Sequence, residues 1–164
     1  MRLRRACADD ARRLAALARW VWLDSYALSG VEERFLTCLD ESFTREVFER
    51  LIADPAQLLW IVEDGATLQG FAQSRRGVQA PVATAAAIEL ERLYVAPPCT
   101  GRGLGALLLQ AARETLAPEP LWLSVWEGNA GALRFYAREG GQTVGESDFI
   151  LDGQPIRNLV IAFP

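Results

Sequence analysis

The sequence predicts an α/β fold in which a mixed β-sheet is covered by helices on both faces. More segments have the pattern of strands than of helices, and the two kinds alternate only in the second half of the chain. The chain has 164 residues, of which 51% are apolar and 23% are charged, as expected of a globular protein that buries one core. Because neither an internal repeat nor a linker is present, we expect a single domain over residues 1–164.

The N-terminal part of the chain is predicted to form one strand followed by helices. Asp9 and Asp10 provide the N-cap and first-turn acids of the first helix, in which Leu14, Leu17 and further apolar residues recur at helical spacing. The predicted elements are a strand over residues 2–5, a helix from residue 9 to the break at Ser29-Gly30, an ambiguous stretch over 31–40 that favours a helix, and a helix that begins near Ser42 and ends before Asp54-Pro55.

The rest of the chain changes to the spacing of strands, interrupted by two helices. Pro97-Pro98 ends one strand, and residues 77–87, which contain Ala and Pro, are expected to form the most mobile loop. The predicted elements are a hairpin of strands 58–63 and 67–75, a strand over Ile88–Val95, a helix over 104–116, a strand over Leu121–Trp126, a helix over 129–139, and strands over 143–151 and 157–163.

Two absences remove much of the common catalytic chemistry. The chain has no His, which excludes Ser-His and Cys-His nucleophiles and every metal site that contains His. All 17 basic residues are Arg, so no Lys is present for a Walker A loop or a Schiff base. Cys7, Cys38 and Cys99 are widely spaced and odd in number, which favours free thiols over a disulfide framework or a metal site. We therefore expect no metal.

Charge and hydropathy limit the partners. A net charge of −4 argues against a nucleic-acid-binding surface, which would have to be basic. No apolar run approaches the roughly 20 residues that a membrane span needs, and the basic N-terminus is not followed by the apolar core of a signal peptide. We therefore expect a cytoplasmic protein that binds neither nucleic acid nor membrane.

The most informative segment joins the strand Ile88–Val95 to the helix that follows it. After the proline pair, Gly101, Gly103 and Gly105 occupy alternate positions and a helix begins at once. This order places free backbone N–H groups at the positive end of a helix dipole, where an anion binds without a cationic side chain. Glycines let a phosphate approach the backbone closely. The alternative is a simple turn that binds nothing.

Two other phosphate-binding motifs fit this segment poorly. A Walker A loop requires a Gly-Lys pair, which the chain lacks. A Rossmann fingerprint follows the first strand of a βαβ unit and is followed, about 20 residues later, by an acid that binds ribose. Here the glycines come after the middle of the chain, and the next strand, Leu121–Trp126, carries no such acid.

The segment resembles motif A of the GNAT N-acetyltransferases, which reads Val-x-Pro and then Gln/Arg-x-x-Gly-x-Gly/Ala at the start of a helix. Val95, Pro97, Gly103 and Gly105 match this motif, whereas Thr100 stands in place of the Gln or Arg. A second family motif, Asn-x-x-Ala-x-x-Phe/Leu-Tyr, is matched on the later helix by Asn129, Ala132, Phe135 and Tyr136, although Gly140-Gly141 replaces the usual Gly-Phe after it. The resemblance covers nearly the whole chain.

The resemblance implies a GNAT fold, with a mostly antiparallel sheet of six to seven strands that splays apart between Ile88–Val95 and Leu121–Trp126. It also implies that acetyl-CoA is the co-substrate and lies in this gap, with its pantetheine paired to backbone groups of Leu93 and Val95 and its pyrophosphate on the turn after the strand. The expected acetyl-CoA contacts are Leu93, Tyr94, Val95, Thr100, Gly101, Arg102, Gly103, Leu104, Gly105, Ala106, Asn129 and Tyr136. The alternative role of Asn129 is that of a helix cap alone.

Direct attack of an amine on the thioester needs a group that deprotonates the amine and a proton for the leaving thiolate. With His and Lys absent, Glu91 and then Glu89 are the candidate bases, because both lie on one face of the strand where the family places this group. Tyr136 is the candidate acid, since the family's helix places a phenol beside the coenzyme sulfur. The alternatives are that each Glu is a solvated or ion-paired surface residue and that Tyr136 is a core aromatic.

The function expected from the resemblance is acetyl transfer to a primary amine of a small molecule or peptide. A second hypothesis is a GNAT-fold module that binds acyl-CoA without turnover. Acceptor specificity would come from the first two helices and the loop 77–87, and Trp20, Trp22, Tyr26 and Trp60 would line an acceptor cleft if they are not core residues. The family also forms homodimers commonly, which makes a homodimer one expected assembly.

Overall fold

The computed structural model describes residues 1–163, which form a seven-stranded sheet and five α-helices. The strands are β1 (Arg2–Arg5), β2 (Gln57–Asp64), β3 (Thr67–Arg76), β4 (Ile88–Val95), β5 (Leu121–Trp126), β6 (Gln142–Leu151) and β7 (Gln154–Ala162). The helices are α1 (Ala11–Tyr26), α2 (Glu33–Ser42), α3 (Arg45–Ala53), α4 (Leu104–Leu116) and α5 (Ala130–Arg138). No helix in the described range is long and apolar enough to cross a membrane.

The strand order across the sheet is β1-β2-β3-β4-β5-β7-β6. Every neighbouring pair is antiparallel except β4 and β5, which are parallel. Helices α1, α2 and α3 cover one face of the sheet, with Phe48 and Phe71 at the centre of that core. Helix α4 and the ring of Tyr136 from α5 cover the other face, against sheet residues such as Val62 and Ile161. The expected mixed, mostly antiparallel sheet with helices on both faces is confirmed.

Most elements lie where the sequence predicts them, but the helix expected near Ser42 begins later. Ser42 is instead the last residue of α2, and the buried Phe43 separates the two helices. The Thr44 hydroxyl accepts a hydrogen bond from the Val47 N–H, so Thr44 caps α3. The interpretation of Ser42 and Phe43 as part of the later helix was therefore wrong, because spacing alone did not reveal the cap.

The sheet opens between β4 and β5. The two strands pair only at Ile88 with Leu121 and at Glu89 with Trp122. Along β4, Gln73 of β3 faces Arg92 and Ser74 faces Leu90, so that Glu91 has no partner and is the extra residue of a β-bulge. Because a bulge bends its strand and increases the local twist, β4 turns away from β5 just after their last pair. The splay expected between these strands is confirmed.

The loop 77–87 is held against the sheet beside β5. The Trp122 Nε1–H donates a hydrogen bond to the Val78 carbonyl at 2.8 Å, and Val78, Ala80 and Val82 pack against a small apolar cluster that includes Trp122. The Val78 N–H also donates to the Ala87 carbonyl across the base of the loop. These contacts fix the path of a segment that has no regular secondary structure.

A nearly buried ion-pair network joins the N-terminal strand to α1 and β2. Asp10 is 1% exposed and accepts hydrogen bonds from Arg4 at 2.7 Å and from Arg13, and both arginines also contact Glu63. Burial opposes the ionisation of Asp10, but hydrogen bonds from Arg4, from the Cys7 N–H and from Arg13 outweigh it and hold the pKa of this carboxyl well below its usual range. Asp10 is thus charged in the folded protein.

We expect Asp10→Asn to lower the free energy of unfolding by about 3 kcal/mol near neutral pH, because it leaves two partly buried arginines without their shared carboxylate. The pKa of Asp10 is lower in the folded state than its unfolded value of about 3.9. The contribution of Asp10 to stability is therefore complete above that pH and is lost as the pH falls below it. Urea unfolding at pH about 7 and about 3 measures the difference. Asp9→Asn, at the exposed neighbour, is the control and should change stability by less than about 0.5 kcal/mol.

Candidate active site

A cavity of about 970 Å³ runs through the gap between β4 and β5. One end is formed by the turn before α4, the middle by β4, β5 and α5, and the other end by the last turn of α1 together with α2. Its walls combine the helix start, the free side of β4 and several aromatic rings. A site of this shape binds a long ligand with a charged end in contact with backbone N–H groups.

The turn before α4 presents six consecutive backbone N–H groups without a protein acceptor. Within residues 1–163, no N–H from 101 to 106 donates to a carbonyl or side chain, and the first that does belongs to Leu107, which donates to the Gly103 carbonyl at 3.1 Å. Gly101 and Gly103 both have left-handed backbone angles, with φ of 74° and 80°. Unpaired N–H groups at the start of a helix are a chemical environment in which an anion can bind.

The glycines of this turn have different physical roles. A Cβ atom at Gly103 would meet no protein atom within 4 Å. Glycine is therefore favoured at this position by the positive φ and not by packing within the chain. A Cβ atom at Gly105 would lie 3.3 Å from the Phe135 ring, so this glycine lets α5 pack against α4. Nearby, the Thr100 hydroxyl donates to the Pro97 carbonyl at 2.8 Å, and Arg102 is exposed.

Strand β4 faces the gap with unpaired backbone groups. The Ala96 N–H donates to the Gln69 carbonyl of the neighbouring strand at 2.8 Å. Because backbone groups alternate in direction along a strand, Tyr94 also faces β3, whereas the N–H and C=O groups of Leu93 and Val95 face β5. Because β5 has separated from β4 beyond Glu89, these backbone groups of Leu93 and Val95 line the cavity without a partner strand. Tyr94 lines the cavity as well, with its ring packed on Phe71.

The two glutamates of β4 both line the cavity but have different surroundings. Glu91 pairs with Arg92 at 2.7 Å and accepts a hydrogen bond from the buried Gln73 amide at 2.8 Å. The bulge places Glu91 and its neighbour Arg92 on one face, where the Arg92 guanidinium also lies over the Phe43 ring. Glu89 has no ion-pair partner within residues 1–163. Burial and repulsion from Glu91 raise the pKa of Glu89 above its usual range.

Helix α5 places two of the expected residues in the cavity wall. Tyr136 is buried and packs against the Phe135 and Phe163 rings, and burial raises the pKa of its phenol, so that it stays protonated at neutral pH. The Asn129 side-chain oxygen accepts a hydrogen bond from the Ala132 N–H at 3.0 Å and caps the helix. The NH₂ group of the same amide is not used by the cap, so Asn129 can act both as a cap and as a cavity residue.

The α1 end of the cavity is aromatic. The Tyr26 ring stacks on Trp126 of β5 at 5.5 Å and lies 4.7 Å from Trp22. Trp22 and Tyr26 were expected to line an acceptor cleft and do line the cavity. Trp20 is exposed to solvent and Trp60 of β2 lies beneath the Arg5 guanidinium, so neither lines the cavity.

Several cavity residues were not found from the sequence. Residues of the loop 77–87, expected to shape the acceptor site, do not line the cavity in the described structure. Trp126 and Arg92 do line it, as does Asn158 of β7, which pairs with Trp126 across the β5–β7 ladder. The sequence carries no signal for Asn158, because its position depends on the pairing of a C-terminal strand with β5.

No metal site is present among residues 1–163, because no three His, Cys, Asp or Glu side chains are close enough to share an ion. Cys99 lies beside the turn before α4, 3.7 Å from the Arg102 guanidinium, without a neighbouring base. The chemistry available in the cavity therefore consists of backbone N–H donors, the carboxylates of Asp24, Glu89 and Glu91, and tyrosine phenols that include Tyr136.

Known proteins share both this fold and this sequence pattern. The family described as "Acetyltransferase (GNAT) family" matches residues 10–141 of the chain. An uncharacterised N-acetyltransferase of Lactobacillus delbrueckii subsp. lactis is 25% identical over 146 residues, which cover 87% of this chain and 84% of that protein. A spermine/spermidine N(1)-acetyltransferase of Bacillus subtilis is 38% identical over 64 residues, 37% of this chain and 42% of that protein.

Solved structures give the same result for the fold. The PaiA N-acetyltransferase of Thermoplasma acidophilum, solved in complex with coenzyme A, superposes with a TM-score of 0.77 at 22% identity, covering 99% of this chain and 97% of that one.

Proposed function

The chain belongs to the GNAT family of acetyltransferases, and we propose that it transfers the acetyl group of acetyl-CoA to a primary amine of a small molecule or peptide. The observation that carries this proposal is the run of six unpaired N–H groups at 101–106, which lies at one end of a cavity between separated strands. A diphosphate fits such a turn, and an extended arm with amide groups fits the unpaired edge of β4.

The backbone of this chain would hold most of the co-substrate. The N–H groups of Gly101, Arg102, Gly103, Leu104, Gly105 and Ala106 would bind the pyrophosphate. Leu93 and Val95 would pair with the amides of the pantetheine arm, and the free NH₂ group of Asn129 would bind the same arm. Thr100 and Tyr94 would shape the wall. Backbone binding explains why the loss of the usual Gln or Arg at Thr100 is tolerated.

The acceptor nitrogen must lose a proton before its lone pair attacks the acetyl carbonyl carbon. Glu89 is the better proton acceptor of the two candidate glutamates, because its carboxylate is unpaired and partly desolvated, whereas Glu91 is held by Arg92. This assignment reverses the order favoured by the sequence. A raised pKa brings the basicity of Glu89 closer to that of an amine and thereby eases proton transfer, directly or through water.

Breaking the carbon–sulfur bond leaves a thiolate that needs stabilisation. Tyr136 remains protonated because burial raises its pKa, so its hydroxyl would donate a hydrogen bond to the departing sulfur. An unpaired N–H of β4 at Leu93 or Val95 would polarise the thioester carbonyl. The first proton of the ammonium passes to Glu89 and then to solvent, and the second N–H proton, lost as the amide forms, ends on the thiolate. The products are an N-acetylated amine and the free thiol of CoA.

The direct test is stabilisation by CoA followed by turnover. We expect saturating CoA or acetyl-CoA to raise the melting temperature, by an amount equivalent to about 2.7 kcal/mol at a hundred times the dissociation constant. NAD and ATP should have little effect, because they lack the pantetheine arm that fits β4. A melting temperature unchanged by CoA would contradict the proposal. Stabilisation without thioester consumption across a broad amine panel would instead indicate a module that binds acyl-CoA without turnover.

The role of Glu89 can be separated from that of Glu91. We expect Glu89→Gln to lower kcat/KM about 100-fold near neutral pH and to remove the acidic limb of the pH profile. Because the pKa of Glu89 is raised, that limb should lie above the usual range of a Glu side chain in the wild-type enzyme. Glu91→Gln should cost less than about tenfold, since Glu91 is already neutralised by Arg92. The reverse ranking would identify Glu91 as the base.

Other properties follow from the same proposal. We propose that residues 1–164 act as a single domain in the cytoplasm. Nucleic acid is not expected as a partner, because the net charge of the chain is −4. A homodimer is the assembly expected from the family. Size-exclusion chromatography with light scattering measures the assembly.

A further inference from the structure

Asn158 is a buried amide in the wall of the cavity. It lies on β7 directly between Trp126 of β5 and Ser147 of β6, so the three side chains share one face of the sheet. Trp126 stacks on Tyr26, and the Ser147 hydroxyl lies 3.4 Å from that of Ser124. Asn158, Ser124 and Trp126 all line the cavity at its acceptor end.

The Asn158 amide lacks the hydrogen bonds that a buried amide requires. Its residue is only 9% exposed, and its side-chain oxygen has no contact with solvent and no partner. Its NH₂ group also donates to no residue in the described range 1–163. A buried polar group without a hydrogen-bond partner destabilises the folded state. A bound molecule that pairs with the amide would recover this energy, and rotation of the amide by a half turn lets either its oxygen or its NH₂ group face the cavity.

The charges of the cavity restrict what this molecule is. Both cationic side chains in the wall, Arg92 and Arg138, are paired with a neighbouring glutamate. Two carboxylates in the wall, Asp24 and Glu89, have no ion-pair partner within residues 1–163. At the end of the cavity formed by α1, away from the N–H groups at 101–106, Asp24 would repel an anionic group, whereas an ammonium or a hydroxyl group would be accepted.

We infer that Asn158 is a specificity-determining residue that binds a second polar group of the acceptor. The preferred acceptor is then a bifunctional amine: a primary amine that carries, at its other end, an ammonium or hydroxyl group that donates a hydrogen bond to Asn158. The carbonyl oxygen of the amide accepts this bond, and a carboxylate in the same position is excluded. This inference rests on the proposed acetyl transfer and adds the acceptor class to it.

Matched acceptors test the inference. Steady-state kcat/KM is measured for an n-alkylamine and for the amines of the same chain length that end in hydroxyl, amino or carboxylate groups. We expect the wild-type enzyme to prefer the hydroxyl- and amino-ended acceptors over the alkylamine by about tenfold or more, and to use the carboxylate-ended one least. Equal kcat/KM for all four would overturn the inference. Absence of turnover with every amine would overturn both it and the proposed function.

Variants of Asn158 connect this preference to the residue. Asn158→Leu should lower the ratio of kcat/KM between the bifunctional acceptors and the alkylamine about tenfold or more. Gln142→Leu makes the same chemical change at an exposed position of β6 outside the cavity and should leave the ratio unchanged. An equal loss on all acceptors would mean that Asn158 serves only the structure, and the inference would fail.

A second variant keeps the test valid if leucine prevents folding. Asn158→Asp has almost the same shape, and its negative charge should favour the amino-ended acceptor over the hydroxyl-ended one by about tenfold relative to wild type. An unchanged order of these two acceptors in a folded Asn158→Asp enzyme would overturn the inference.

Discussion

Gly103→Val is expected to abolish coenzyme binding, with a loss of affinity for CoA of about 100-fold or more, equivalent to about 2.7 kcal/mol, while the fold is retained. The substituted Cβ meets no protein atom within 4 Å, so the valine does not clash within the folded chain. Its methyl groups would instead occupy the space in front of the N–H groups at 101–106, where we propose that the pyrophosphate binds.

The variant also carries a cost that is independent of the ligand. Gly103 has φ of 80°, a left-handed conformation that costs a branched residue roughly 1–2 kcal/mol. Some loss of stability is therefore expected together with the loss of affinity. The two effects must be separated before the result bears on the phosphate-binding turn.

Gly153→Val is the matched control for this strain. Gly153 has φ of 72° in the turn between β6 and β7, and its substituted Cβ also meets no atom within 4 Å. It lies outside the cavity, so its valine variant should lose similar stability and no affinity for CoA. Calorimetric titration with CoA and circular dichroism measure both quantities. A folded Gly103→Val protein that binds CoA as tightly as wild type would refute the assignment of the turn.

Tyr136→Phe is expected to lower kcat about 100-fold while the affinity for CoA changes less than about twofold. The range for a positioned proton donor is about 10² to 10⁴, and the lower end applies because the raised pKa of Tyr136 makes it a weak acid that acts mainly as a hydrogen-bond donor. The ring keeps its contacts with Phe135 and Phe163, so packing and melting temperature should be preserved.

Three measurements decide the role of Tyr136. Thioester consumption gives kcat, calorimetric titration gives the affinity for CoA, and thermal unfolding reports whether the core is intact. A wild-type kcat in the variant would show that Tyr136 is a core aromatic, as its burial would also allow. A parallel fall in affinity and melting temperature would mean that the hydroxyl is needed for the structure.

The sequence alone was sufficient to predict most elements and the glycine-rich turn that precedes α4. The strands Ile88–Val95 and Leu121–Trp126 have the predicted bounds, and α4 begins directly after Gly103. These features depend on local rules, because strand spacing, proline stops and glycines before a helix act within a few residues of the chain. The family motifs extended this local information to a fold and to a co-substrate.

The sequence was less informative where two local rules competed. Helical spacing placed Ser42 and Phe43 at the start of the later helix, but Ser42 ends α2 and the Thr44 cap begins α3. Aromatic residues also gave a mixed result, since Trp22 and Tyr26 line the cavity whereas Trp20 and Trp60 do not. Aromatic residues of both kinds lie on apolar faces, so spacing cannot tell a cavity wall from the core.

By itself, the sequence determined the order of the elements, the chemistry that the chain lacks and the position of the glycine-rich turn before α4. The family resemblance implied the splay between β4 and β5, but only the tertiary structure showed the bulge at Glu91, which exists only through the register of β3 with β4. It also separated Glu89 from Glu91, since a pKa depends on burial and on neighbouring charges that chain spacing does not reveal. Finally, it brought Asn158 to the cavity through the pairing of β7 with β5, a contact between segments far apart in sequence.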